Sequence, residues 1–240
     1  MRSSIRSSLL ALLTLSVSPA AFAQAANAPS GHWEGTISMP EGEVKIAVDL
    51  GKKADGAWIG AITIPGTTAA DVPLDAFAIS GASVKFHAGL LESPTFNGTL
   101  SADGVSIAGD VANVRGAVPF QLKRTGEGKV NVPAPSTPFA QAKDVEGSWE
   151  GAIQVGDRTV RLSLKIAPGG EGVTAATLVN LGQGISVPIT TVTFTNKELR
   201  LEARAITGSF VGKLGADGTI AGEWAQGPQK LPLTFKRTAS

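Results

Sequence analysis

The sequence predicts an all-β protein: two tandem, small, antiparallel up-and-down β-barrels of about eight strands each, placed after a signal peptide. Three observations predict it. First, 29 Gly and 14 Pro among 240 residues, with 42% hydrophobic residues, suit many short strands joined by tight turns better than helices. Second, stretches such as Val44, Ile46, Val48 and Leu50 alternate with Lys45, Ala47 and Asp49, the period of a strand with one buried face. Third, the pentapeptide GHWEG at Gly31–Gly35 returns as GSWEG at Gly147–Gly151, and further landmarks recur after it in the same order.

The chain opens on MRSSIRSSLLALLTLSVSPAAFAQA. Arg2 and Arg6 form a positive head, Leu9 to Val17 an apolar run, and Ala21-Phe22-Ala23 a cleavage site before Gln24. Residues 1–23 therefore read as a secretory signal peptide, and the mature protein is expected in the periplasm or outside the cell. The apolar run is well short of the ~20 residues that a bilayer requires, so no membrane span is expected. Lys and Arg number 21 against 20 Asp and Glu, and two of those cations lie in the leader, which leaves the mature chain one unit negative. Without a basic run it offers no electrostatic footprint for nucleic acid. The absence of Cys removes disulfides, thiolate nucleophiles and Cys-ligated metals, so stability must come from apolar burial.

The first copy spans residues 31–125 and the second 147–238. Asp71-Val72-Pro73-Leu74 answers Ser186-Val187-Pro188-Ile189; Phe96 to Gly104 answers Phe210 to Gly218; VPFQLKRT at Val118–Thr125 answers LPLTFKRT at Leu231–Thr238. Strands are expected to begin near Trp33, Trp58, Pro73, Val84, Phe96, Ile107 and Val118, with turns such as Ala102-Asp103-Gly104 between them. In the second copy Val160, Leu162, Leu164 and Ile166 supply the same alternation. Residues 126–146, rich in Pro and small polar side chains, read as a semi-extended linker. Eight one-sided strands are most simply closed into a barrel, which removes the exposed edges; a flattened sandwich is the alternative. Lys85, His87, Arg200, Glu202 and Arg204 on the outward face argue against an outer-membrane barrel.

Strand parity gives the repeated Trp a role. Trp33 shares its face with Gly35 and Ile37, and Arg124 shares its face with Val118, Phe120 and Leu122. If the first and last strands pair, Trp33 and Arg124 meet at one barrel end, and Trp149 and Arg237 meet at the same end of the second copy. A guanidinium over an indole would plug each end with ~1–2 kcal/mol of cation–π attraction. Trp58 and Trp224 lack a Trp counterpart in the other copy, so they are the candidates for ligand binding specific to one copy.

The G-x-W of the first strand with an inward Arg on the last resembles the calycin signature of lipocalins and avidin-like proteins. That resemblance implies a binding protein for a small apolar ligand. A fuller resemblance is to the small β-barrel accessory module that precedes α/β-hydrolase domains in exported bacterial esterases and peptidases. Trp149 with Gly151, Gln183-Gly184-Ile185, Phe210 to Gly218, Gly222-Glu223-Trp224-Ala225-Gln226-Gly227 and Pro232 to Arg237 look like its pattern, while the first copy has Val111 in place of Trp224. The G-x-S-x-G nucleophile elbow of the hydrolase domain is absent; the nearest string, Gly104 to Ala108, lacks the final Gly. This resemblance implies the accessory module without the enzyme.

Catalytic candidates are few. His32 and His87, the only histidines, are replaced by Ser148 and Glu202 in the other copy, and neither shows metal-ligand spacing or a general-base partner in the sequence. Glu34 and Glu150 lie in separate copies, where pairing with Lys123 and Lys236 is the expected role. The expectation is a non-catalytic exported accessory or interaction protein without cofactor or metal, its partner unidentified and either a periplasmic protein or a small apolar ligand. The alternative is a calycin-like carrier of a small apolar ligand, and a hydrolase-associated enzyme ranks third. Large inward residues interleaved with Gly35, Gly98, Gly109 and Ala88 favour barrels filled by their own side chains over a pocket at the mouth.

Overall fold

The computed structural model describes residues 28–131 and 133–238. The expected signal peptide at 1–23 lies outside the described residues. Every strand pairs antiparallel with its neighbours. β1 (Gly31–Met39), β2 (Gly42–Lys52), β3 (Trp58–Thr63), β4 (Val72–Ser80), β5 (Ser83–Ala88), β6 (Thr95–Leu100), β7 (Ser106–Asn113) and β8 (Gly116–Gly126) form a closed barrel in sequence order. Closure is made where Trp33 registers with Arg124 and Gly35 with Leu122.

The period-two pattern fills this barrel. Ile46, Val48 and Leu50 of β2 point inward with at most 2% exposure, and Phe86, Phe96 and Phe120 pack around them. Phe86 stacks on Phe96 at 4.9 Å between ring centres, and Phe120 meets Phe96 edge-on at 5.2 Å. The small residues make room for these rings. Gly98 registers with Gly109, and a Cβ on Gly109 would lie 2.0 Å from the Asn97 carbonyl oxygen, so only glycine allows this strand approach.

The second unit departs from the expected eight-stranded closed barrel. β9 (Gly147–Val155), β10 (Arg158–Pro168), β11 (Thr174–Asn180), β12 (Ile185–Pro188), β13 (Thr191–Thr195), β14 (Glu198–Ala203), β15 (Gly208–Leu214), β16 (Thr219–Gln226) and β17 (Gln229–Arg237) form a nine-stranded sheet curled as a half-barrel. Its order is β12-β11-β10-β9-β17-β16-β15-β14-β13. In the first barrel one strand, β4, pairs with both β3 and β5 across a bulge between Asp75 and Ala78. In the second unit the same stretch is broken at Ile189-Thr190, so β12 pairs with β11 while β13 pairs with β14. One expected strand has become two, and the ladder opens between β11 and β13.

The segment expected as a linker occupies that opening. The Thr137 N–H donates to the Val192 carbonyl at 2.8 Å, and the Thr174 N–H donates to the Thr137 carbonyl at 2.8 Å. Thr174 Oγ1 adds a second bond to that carbonyl, while the Val192 and Phe194 N–H groups donate to Ser136 Oγ and Thr137 Oγ1. Residues 134–138 thus act as a strap between β11 and β13. Two short 3-10 turns, Phe139–Gln141 and Lys143–Val145, follow, and fully buried Ala142 and Val145 join the second core. The other end of the segment stays with the first barrel, where the Lys129 N–H donates to Asp49 Oδ1. The described residues of 126–146 are held largely by backbone and hydroxyl bonds, which an absence of hydrophobic periodicity does not reveal.

Candidate functional site

Each unit carries the same closed end. Arg124 lies 4.5 Å from the Trp33 ring centre, and Arg237 lies 4.3 Å from that of Trp149. Both indoles are fully buried, and each donates from Nε1 to the carbonyl four residues earlier, Pro29 or Val145, at 2.9 Å. The guanidinium then fastens the segment that leads into the first strand. Arg124 donates to the carbonyls of Ser30 and Ala28, as Arg237 donates to those of Glu146 and Asp144. Arg124 also bonds the Gly104 carbonyl across the barrel end at 2.9 Å. Burial lowers the Arg124 pKa from its ordinary value, yet an arginine stays charged in a protein. Each Trp–Arg pair lies at one end of its unit, and Arg124 also lines a surface hollow of about 780 Å³ with Ser30, Gly31, Leu50, Lys52 and Gly128.

The two ligand-binding candidates lie in different surroundings. Trp224 is 3% exposed and registers with Phe210 on one side and Leu231 on the other, inside the second core. Trp58, at the start of β3, is half-buried, with Lys52 Nζ 4.7 Å from its ring centre. Sequence parity alone puts both Trp residues on the inward face. The structure separates them, because Trp58 sits at a strand end where the inward face reaches the surface.

Both histidines have partners that the sequence reading missed. His32 Nδ1 donates to Asp49 Oδ1 at 2.9 Å, and His87 Nδ1 donates to Asp75 Oδ1 at 2.7 Å. In each case the Asp lies directly across the ladder on the neighbouring strand, so register alone makes the pair. The Asp49 hydrogen bond, with Glu34 3.6 Å away on the other side, raises the His32 pKa against the opposing effect of burial. Glu34 and Lys123 are register neighbours, as are Glu150 and Lys236, but no ion pair within 4.0 Å joins either couple among the described residues. Among the described residues no group of three or more His, Asp or Glu is placed to hold a metal ion.

The outer surface carries shallow features. One groove of about 450 Å³ is lined by Glu34, Gly35, Lys45 and Lys123, and one of about 270 Å³ by Glu150, Gly151, Arg161 and Lys236. A cleft of about 320 Å³ lies where the two units touch. There Arg204 Nη1 donates to the carbonyls of Asp71 at 3.1 Å and Asn131 at 3.3 Å, and Thr207 Oγ1 donates to the Thr68 carbonyl. No described helix is long and apolar enough to cross a membrane.

No protein-family model matches the chain. No curated protein matches it. Among solved structures, the chain is similar to a protein of unknown function from the DUF3598 family of Nostoc punctiforme at 15% identity, covering 87% of this chain and 96% of that one with a TM-score of 0.28. It is also similar to a "putative outer membrane protein" of Bacteroides fragilis at 12% identity, covering 89% of this chain and 96% of that one, again with a TM-score of 0.28.

Proposed function

We propose that this chain is an exported, non-catalytic accessory protein, built from a duplicated β-barrel module, that works by binding a protein partner through its outer surface. The observation that carries this reading is the packed aromatic interior behind the two Trp–Arg pairs. Trp33, Phe86, Phe96, Phe120, Trp149, Phe210 and Phe235 are all at most 3% exposed, which leaves the functional groups on the outside. The N-terminal sequence supports export. The resemblance to the accessory module of exported hydrolases supports a helper role, with the paired His32–Asp49 and His87–Asp75 serving as cross-strand contacts.

The carrier alternative names Trp58 or Trp224; Trp224 is buried in the second core and Trp58 is half-buried at the surface. Titration of the mature protein with an apolar fluorescent probe, followed by Trp emission, tests the proposal together with a panel of ester, amide and glycoside substrates. The expected results are unchanged emission and no hydrolysis. A saturable emission change lost in Trp58→Ala, or turnover lost on changing His32 or His87, would contradict it.

A further inference from the structure

The strap in the second unit shows what fits an opened seam, and the first barrel has the corresponding seam without a strap. The correspondence follows from register. Val84 pairs with Gly98 as Leu199 pairs with Gly212, and Ile79 pairs with Val84 as Phe194 pairs with Leu199. Phe77 therefore stands where Val192 stands. On the other wall, Gly60 pairs with Leu50 as Ala176 pairs with Ile166, so Trp58 stands where Thr174 stands.

In the second unit these positions are occupied. Val192 uses both backbone groups on the strap, Phe194 uses its N–H, and Thr174 uses its N–H and hydroxyl. Val192, Thr174 and Thr191 are 1%, 2% and 4% exposed in consequence. In the first barrel β3 reaches β4 only at Ala61-Pro73 and Ile62-Val72. Ala78 faces β5 through its pairing with Lys85, which turns the Ile79 N–H the other way, and β3 supplies no ladder partner for Phe77 or Ile79 among the described residues. Phe77, Ile79 and Trp58 are half-buried. A short edge without a ladder partner beside a half-buried indole is a template for an added strand.

We infer that the seam of the first barrel, between Trp58 and the β4 edge at Phe77–Ser80, takes an extended, Pro-flanked Ser/Thr segment of a partner protein as an added strand. The chemistry of the occupant is that of Pro135-Ser136-Thr137-Pro138. Its backbone bridges both walls, and its hydroxyls accept edge N–H groups that a regular ladder would leave offset. Trp58 in place of Thr174 exchanges a hydroxyl contact for a broad apolar face suited to a proline ring. This site rests on the protein-binding reading given above and assigns it a place.

The test uses the full mature protein and a synthetic peptide of residues 133–139, PAPSTPF, with a scrambled control. Amide hydrogen exchange should show new protection at Phe77 and Ile79, and labelled-peptide anisotropy should show binding at least tenfold weaker for Ile79→Pro. That variant removes one outward N–H, at an edge position where proline is tolerated. Equal binding of the scrambled peptide, protection at Val192 and Phe194 in place of Phe77 and Ile79, or no binding would each overturn the inference. If a partner co-purifies equally with wild type and Ile79→Pro, protein binding stands and this seam is not where it happens; if the wild type carries no partner, the broader reading fails.

Discussion

The Arg237 guanidinium rests 4.3 Å from the centre of the Trp149 indole and holds the carbonyls of Asp144 and Glu146, which lead into the strand bearing that indole. One cation thus fixes an aromatic side chain and the backbone that covers it. Trp149 is fully buried, so Trp149→Ala should cost ~3–5 kcal/mol, enough to unfold the second unit of a marginally stable protein. Chemical denaturation measures it, and an unchanged midpoint would refute the sealed-end account.

Arg124 makes one more bond than Arg237, to Gly104, and is half-buried where Arg237 is exposed. Lysine cannot reproduce a planar fork that serves several carbonyls. Arg124→Lys should therefore lower the midpoint more than Arg237→Lys, each by ~1–3 kcal/mol. Equal losses would show that the Gly104 bond is energetically idle.

The His32–Asp49 pair sets a pH dependence. The Asp49 hydrogen bond, assisted by Glu34, raises the folded-state pKa above the ordinary value of about 6.5. The associated stability is fully present below about pH 6.5 and is lost as pH rises through the raised folded value. Thermal scans from pH 5 to pH 9 should show wild type losing more stability on the alkaline side than Asp49→Asn. Parallel curves would contradict the assignment.

The strap predicts a local effect. Thr137→Val removes the acceptor for the Phe194 N–H while keeping the Thr137 backbone bonds to Val192 and Thr174. Loss of about 1–3 kcal/mol is expected, with faster exchange at Phe194 first. Unchanged protection at Phe194 would mean that the strap does not hold β13.

Glycine at the tight strand crossing gives a steric test. A Cβ on Gly222 would lie 2.1 Å from the Val211 carbonyl oxygen, a contact with backbone that no rotamer relieves. Gly222→Ala should destabilise the second unit by ~1–3 kcal/mol or more, whereas Gly227→Ala, at a turn with open space but positive φ, should cost less. The reverse order would contradict the packing described for β15 and β16.

What was legible in the sequence follows from what has a period. Alternation along Val44–Leu50 marks β2, and parity places Trp33 with Arg124 because inward side chains on paired strands must meet. The break at Ile189-Thr190 carries no such signal, since Val187, Ile189 and Val192 remain apolar through it. The strap was hidden because Ser136 and Thr137 act through hydroxyls and backbone, which in a Pro-rich stretch look like solvated loop. The His32–Asp49 and His87–Asp75 pairs depend on register, and a shift of one residue would have separated them. Trp58 and Trp224 look alike by parity and differ only in distance from a strand end.

Native mass spectrometry of the protein, purified gently from the cells that make it and compared under native and denaturing conditions, tests the central claim most directly. Filled barrels working through their outer surface predict a mass without small-molecule adduct and a complex with a protein partner. A small-molecule adduct that disappears on denaturation would contradict the account and establish a carrier.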